Sequence, residues 1–311
     1  MEYLPNDAQQ GHELEIFYAV DDAYVVPLIA SLSALSSANR KYDVHASITV
    51  LSNNLSTEHL QLVRQFGRDT YGKDQFSLTD ITTLLPADLP LLSPHNTYIS
   101  GTAYARFLVP MLAKARSNRS LYLDADTLVT GDLSELTTVD LLGRPVAAVR
   151  DHIISNVSHP QGLPNWIDLG LEPDSFYFNS GVLLFDNAAW RSSDLTDRLY
   201  SYCRQRGEAL ELFDQEALNA VAGRDIHVLD ASYNVFTNHL CDETVPGEAP
   251  LQRDPLDPSE LARARIIHFI GHLKPWKHGD TPSAENDLFF SALKQTPISG
   301  WSIGDVITGG R

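Results

Sequence analysis

Residues 121–127 read Leu121-Tyr122-Leu123-Asp124-Ala125-Asp126-Thr127. An apolar run that stops at two acids suits a short buried strand ending at a sheet edge. In open α/β sheets, ligands bind beyond the carboxyl ends of the strands. Two carboxylates at i and i+2 can turn the same way there and share one cation. Oxygen ligands of this kind suit Mg2+ or Mn2+. Standing alone, the same pattern is more often an acidic turn, because Thr127 and Gly131-Asp132 are turn-like too.

Working outward, strands and helices alternate. Residues 14–19 (Leu-Glu-Ile-Phe-Tyr-Ala) predict a strand running into Asp21-Asp22, followed by a helix with Leu28, Leu32 and Leu35 on one face. Residues 44–50 alternate as a strand should. A helix from Thr57 carries Val63 and Phe66 and is expected to stop at Gly67. Further strands are expected at residues 76–79, 146–149, 176–185, 226–229 and 266–268. Residues 102–109 read as helical, interrupted or kinked by Pro110. Leu195, Leu199 and Tyr202 mark another helix, and Asp214 reads as the N-cap of a helix through Ala222. This order predicts an α/β fold with a mostly parallel sheet covered on both faces. Two stretches, 152–174 and 242–260, read as long loops. We expect one domain over residues 12–280 with loop insertions, and a short, partly helical C-terminal segment over 281–311.

Composition removes several function classes. The chain has 311 residues, 43% of them hydrophobic, so it can bury a sizeable core. Its 40 Asp and Glu against 23 Lys and Arg give a net charge of −17, with the basic residues scattered. A phosphate-backbone footprint needs a basic cluster, so nucleic-acid binding is not expected. Cys203 and Cys241 are too few for a disulfide framework or a four-thiolate zinc site, and Cys203 reads as packed in a helix. Residues 1–11 lack a basic start and an apolar run, and no stretch reaches membrane-spanning length. No integral membrane segment is expected, and a cytoplasmic location is.

A second constellation stands near the C-terminus: His268-Phe269-Ile270-Gly271-His272-Leu273-Lys274-Pro275-Trp276. His268 ends an apolar strand, and its imidazole could join the two carboxylates on a cation. Gly271 would let backbone approach a phosphate, and Lys274 would supply a point charge to it. The stretch also has a plain structural reading as a strand-end His, a turn Gly and an anchoring Trp. Likewise Asp21-Asp22 could cap a helix, Tyr24 could be core, and Arg106 could be a surface charge. Asn179-Ser180-Gly181 inside a strand could be a bulge.

Taken in order, these motifs resemble glycosyltransferase family 8, which includes bacterial lipooligosaccharide galactosyltransferases and glycogenin. The resemblance is carried by Ala19-Val20-Asp21-Asp22 with Tyr24, by Thr102 through Arg106, and by Leu121 through Asp126. Tyr177 through Leu184, Asp214 through Asn219, and His268 through Trp276 complete it. It implies a single Rossmann-like, nucleotide-sugar-binding domain of GT-A type with a mixed, mostly parallel sheet. It also implies retaining transfer of a hexose, galactose or glucose, from a UDP-sugar to a saccharide or other hydroxyl acceptor. By the same resemblance, Asp124, Asp126 and His268 would bind Mn2+ or Mg2+. Ala19, Asp21, Asp22, Tyr24 and Ala125 would lie along the nucleotide, with Asp21 on the uracil edge and Tyr24 on its face. Gly271 and Lys274 would hold the diphosphate. Arg106, Asp124, Asn179, Asp214 and Gln215 would surround the donor sugar, and Asp151 would sit near the sugar or the acceptor.

Two other activities fit some of these residues. Asp124-Ala125-Asp126-Thr127 also resembles the nucleophile motif of haloacid-dehalogenase-type phosphatases, with Gly279-Asp280 or Asn286-Asp287 as a later acidic motif. A UDP-sugar-binding protein without turnover would keep the fold alone. Gln215 is a neutral amide and a poor nucleophile. Asp214 and Asp151 are chemically better candidates, and same-face attack needs neither. Arg106 could orient a neutral sugar or pair with a uronate.

Overall fold

The computed structural model describes residues 14–90, 100–115, 117–237, 258–271, 274–277 and 283–298. The expectations for residues 1–11, Cys241, residues 242–257 and Gly279-Asp280 lie outside the described residues.

In chain order the elements are β1 (Leu14–Val20), α1 (Val25–Tyr42), β2 (Ala46–Ser52), α2 (Thr57–Tyr71) and β3 (Phe76–Asp80). Then come α3 (Val109–Leu112), β4 (Arg119–Asp124), β5 (Thr127–Val129), β6 (Val146–Arg150) and β7 (Phe178–Asp186). The rest are α4 (Asn187–Ser192), α5 (Leu195–Arg206), α6 (Phe213–Ala222), β8 (Ile226–Val228), β9 (Val235–Phe236), α7 (Pro258–Arg263), β10 (Ile266–His268) and α8 (Ala284–Leu293). The main sheet has the order β3-β2-β1-β4-β7-β6-β8. Its pairs are parallel except those of β7, which runs against both neighbours. A small sheet, β5-β10-β9, stands beside it.

The period-two pattern of the strands sorts the core into two layers. Ile16, Tyr18, Leu121, Leu123, Val182 and Leu184 face one layer, filled by Leu28 and Leu32 of α1, Phe66 of α2 and Phe289 of α8. Phe17, Tyr122, Leu183 and Phe185 face the other, filled by Phe107, Trp190, Leu199 and Leu218. The 152–174 stretch folds around a third, smaller cluster of Ile154, Val157, Leu163, Leu171 and Tyr177. Cys203 is buried in α5.

Four local expectations need correction. β2 starts at Ala46 and not at Val44, because the Val44 amide still bonds to the Asn39 carbonyl (3.1 Å) as α1 ends on left-handed Asp43. Pro110 lies in the first turn of α3 and so begins that helix, after a 3-10 turn over Gly101–Leu108. Asp214 is not the N-cap of α6. Leu212 holds that position, and Asp214 lies in the first turn with its carboxylate turned into the protein. Gly67 does not end α2, which runs on to Tyr71 and closes at Gly72 with φ 82°.

Gly67 is there for packing: a Cβ at this position would enter the ring of Phe76. Gly67→Ala should therefore destabilise the protein by about 1–3 kcal/mol in urea denaturation, despite alanine's better helix propensity. A gain in stability would mean that the ring can move away freely.

Candidate active site

The strand order changes direction between β1 and β4, since the chain goes from β1 outward to β2 and β3 and then returns to β4 on the other side. A crevice opens at such a switch point. Register places Ala19 of β1 beside Asp124 of β4. Because β7 runs the other way, its first residues reach the same end of the sheet, and Leu123 pairs with Val182. Asn179, Ser180 and Gly181 thus stand next to Asp124. The chain then turns through Ala125 and Asp126 into β5, where Thr127 pairs with His268 of β10. The Phe269 amide donates to the Asp126 carbonyl (3.0 Å) and closes this corner.

The result is an open cleft at this end of the sheet. Of the expected site residues, Ala19, Asp21, Tyr24 and Arg106 line it, as do Asp124, Ala125 and Asp126. Asn179, Asp214, Gln215, His268, Gly271 and Lys274 line it too. Two expected residues are not brought in. Asp22 faces away, and its Oδ1 accepts from Ser56 N (2.9 Å) and from His59 Nδ1 (2.8 Å) at the start of α2. Asp151 lies behind the cleft, 6% exposed. Its Oδ1 accepts the Ile153 and Ile154 amides (2.8 and 2.9 Å), and its Oδ2 accepts Gln215 Nε2 (3.2 Å).

At the floor, Asp124, Asp126 and His268 offer ligand atoms that all lie within 4.8 Å of one another. His268 Nε2 is 3.3 Å from Asp126 Oδ1 and 3.8 Å from Asp124 Oδ2. Gly181 makes room for them, because a Cβ there would strike the His268 ring and come within 2.7 Å of Asp124 Oδ2. The charges also fit a divalent cation. Three buried or half-buried carboxylates (Asp124, Asp126, Asp214) face two cations (Arg106, Lys274), which leaves negative charge over. Two carboxylates and one imidazole are a donor set for Mg2+ or Mn2+.

The guanidinium of Arg106 is buried and engaged through all three of its nitrogens. It donates to Asp124 Oδ1 (2.9 Å), to the Ser180 carbonyl (2.6 Å) and to the Ala103 carbonyl (2.8 Å), and it pairs with Asp214 Oδ2 (3.0 Å). Burial works against its charge, and Asp124 and Asp214 more than offset that, so its pKa is raised. Burial pushes the Asp214 carboxyl up to about 6, against the pull of Arg106 and of the Ser180 hydroxyl (2.6 Å). Burial also opposes the charge on Asp126, but Lys274 (2.6 Å) and then His268 outweigh it and hold that carboxyl below the usual carboxylate range.

Phe213, just before Asp214, has φ 44°, in the left-handed region that a non-glycine residue rarely enters. Its ring is fully buried against Tyr104, at 5.9 Å between centroids, which holds the backbone there. At the outer end of the cleft, Asp21 Oδ2 accepts from Ser100 Oγ (2.5 Å) and Thr102 Oγ1 (3.0 Å). Half-buried Tyr24 stands edge-on to Trp276 at 6.1 Å.

Sequence reasoning missed several contributors. Ser100, Tyr122, Ser180, Leu212 and Ile270 also line the cleft. The Tyr122 hydroxyl donates to Asp124 Oδ1 (2.8 Å). Asn234 lies behind His268, 3.0 Å from its Nδ1. The available signal for Asn234 was an amide set between Tyr233 and Val235-Phe236, since a buried amide needs partners.

The geometry disfavours a phosphatase. Asp124 is engaged by Arg106 and Tyr122, whereas a carboxylate nucleophile must be free to attack. Asn286 and Asp287 lie within α8 and not at a strand end. Among the described residues, no helix is long and apolar enough to cross a membrane.

The model of "Glycosyl transferase family 8" matches residues 15–279. The chain is 26% identical over 267 residues to glycosyltransferase GlyF of Streptococcus pneumoniae serotype 4, which covers 84% of this chain but 56% of that protein. It therefore spans little more than half of that relative's length. It is 25% identical over 294 residues to the lipopolysaccharide 1,2-glucosyltransferase of Escherichia coli K12, covering 91% and 78% of the two chains. A crystal structure of the galactosyltransferase LgtC with donor and acceptor sugar analogues has a similar fold. Its TM-score is 0.70 at 23% identity, over 91% of this chain and 96% of that one. The apo structure of the bifunctional glycosyltransferase WbbM gives 0.69 at 20% identity, over 98% of this chain and 53% of that one.

Proposed function

Because this chain belongs to glycosyl transferase family 8, we propose that it transfers a hexose from a UDP-sugar to a saccharide or other hydroxyl acceptor, with retention and with Mn2+ or Mg2+. The observation that carries this reading is the Asp124, Asp126 and His268 trio at the floor of a cleft that also holds Arg106, Asp214 and Gln215. A cation on that trio would neutralise the diphosphate as it leaves.

The chain's own residues supply the rest. Gly271 and Lys274 line the cleft beside Asp126, where backbone approach and an ammonium suit a diphosphate. Tyr24 and Asp21, at the other end, suit a base and its polar edge. The Gln215 amide is held by Asp151, Asn179 and the Ser180 amide, so it meets a sugar in one orientation. Asp151 has both oxygens engaged, which supports a role in holding Gln215 and Asn179 and opposes one as nucleophile. We therefore favour attack on the face from which UDP departs, with a leaving phosphate oxygen taking the acceptor's proton. A glycosyl adduct on Asp214 found by mass spectrometry would overturn that step.

Arg106 bears on the donor. Its charge is already answered by Asp124 and Asp214. A uronate carboxylate would therefore have to compete with Asp124 and Asp214 for Arg106, and like-charge contact with Asp214 costs several kcal/mol. This supports a neutral hexose. UDP-glucuronate should release UDP on the order of 100-fold more slowly than the best neutral donor, a penalty of about 3 kcal/mol.

The test is UDP release from a panel of UDP-sugars, with Mn2+ and with excess EDTA. Metal-dependent release favouring one hexose is expected. Tight UDP-sugar binding with no release, even with a range of saccharide acceptors, would point to a binding protein instead. Failure to bind UDP with Mn2+ would sink the proposal.

A further inference from the structure

The amides behind the cleft admit one consistent donor assignment, and it can be traced from backbone N–H groups, whose direction is fixed. The Gly181 N–H donates to one end of the Asn179 amide (2.9 Å), so that end is the oxygen, Oδ1. The Asn234 atom 2.8 Å from this oxygen must then be the nitrogen, Nδ2. The other end of Asn234 is therefore its oxygen, and it faces His268 Nδ1 at 3.0 Å. An amide oxygen only accepts, so Nδ1 must carry a proton.

The opposite branch agrees. The Ser180 N–H donates to Gln215 Oε1 (3.3 Å), which also accepts Asn179 Nδ2 (2.9 Å). Gln215 Nε2 is left to donate to Asp151 Oδ2 (3.2 Å). Reversing any one of these amides would set oxygen against oxygen or nitrogen against nitrogen. The two branches meet at Asn179, so the donor sense runs unbroken from His268 to the Asp151 carboxylate.

We infer that Asn234 is a positioning residue that keeps a proton on His268 Nδ1 and thereby reserves Nε2 for a cation held with Asp124 and Asp126. This rests on reading those three residues as a metal site. Asn234 is 0% exposed and does not line the cleft, so it acts through its neighbours. One side chain also sets Asn179 and, through it, the orientation of Gln215. The metal ligand and the amides beside the sugar are thus aligned by the same residue. Outer partners of this kind fix which ring nitrogen binds a metal.

The test reads the proton directly. The nitrogen-15 spectrum of the histidine rings would be recorded on the full chain, metal-free and with Mg2+. His268 would be assigned among the 11 histidines by its loss in His268→Gln. The expected result is a protonated Nδ1 in both states, whatever occurs at Nε2. A bare Nδ1 in either state overturns the inference. Asn234→Ala should expose a bare Nδ1 and weaken Mn2+ binding, followed by electron paramagnetic resonance, by about 10–100-fold. Unchanged Mn2+ affinity would also overturn it. Should the Ala variant fail to fold, the wild-type spectrum decides alone. A wild type with a protonated Nδ1 that binds no Mn2+ would overturn the metal reading, and with it the purpose given to Asn234.

Discussion

The Asp126→Asn protein should release UDP from its donor about 1000-fold more slowly than the wild type, and added Mn2+ should not restore it. The loss corresponds to about 4 kcal/mol of transition-state stabilisation, within what a Lewis acid on a leaving diphosphate supplies. Asparagine is the informative substitution. Asp126 is the carboxylate partner of the buried Lys274 ammonium, which otherwise has the Phe269 carbonyl. Alanine would strand that ammonium and confuse lost chemistry with lost stability. Asparagine keeps an acceptor for Lys274 while removing the charge a cation needs. Near-normal UDP release by this variant would mean that the acidic pair is only a turn.

Arg106→Met should cost about 3–5 kcal/mol of stability in addition to activity, because it leaves two charges without their shared partner inside the protein. Asp214 is buried and keeps the uncharged Ser180 hydroxyl, and Asp124 keeps the Tyr122 hydroxyl and a distant imidazole. Adding Asp214→Asn to Arg106→Met should recover part of the loss, since one of the stranded charges is then gone. Urea midpoints of the wild type, the two single variants and the double variant give the coupling. A fully additive cycle would mean that Arg106 and Asp214 do not act on each other, contrary to their 3.0 Å separation.

Much of this was legible because some residues declare themselves by pattern. The alternation in residues 44–50 and the apolar run at 121–123 mark strands, and Asp124-Ala125-Asp126 marks where one of them ends. His268, after Ile266-Ile267, is another strand-end polar residue, and the small sheet sets it against Thr127. What failed were inferences about direction and about packing. Asp21 and Asp22 are adjacent and identical in type, yet Asp21 faces the cleft and Asp22 turns to Ser56 and His59 at the start of α2. Nothing local separates them, since the choice is made by Ser56 and His59 on α2. Asp214 looks like a cap because it opens a helix, and only the fold brings Arg106 to it. Gly67 looks like a stop because the ring of Phe76 that requires it comes nine residues later. Asn234 gave only a weak signal, an amide before apolar residues, because the strand it precedes is two residues long.

The small sheet has a consequence for how the protein is made. β5 follows Asp126 at once, but its partner β10 comes far along the chain and brings His268 with it. Pairing across such a separation is slow relative to local structure, and a nascent chain folds from its N-terminus. A partly synthesised chain can therefore assemble β1 to β4 and both acids without holding a cation well. On the proposed metal reading, competence for the cation arrives in one late event, when β10 pairs with β5 and brings in His268, so Mn2+ retention by ribosome-stalled chains should report completion of the fold.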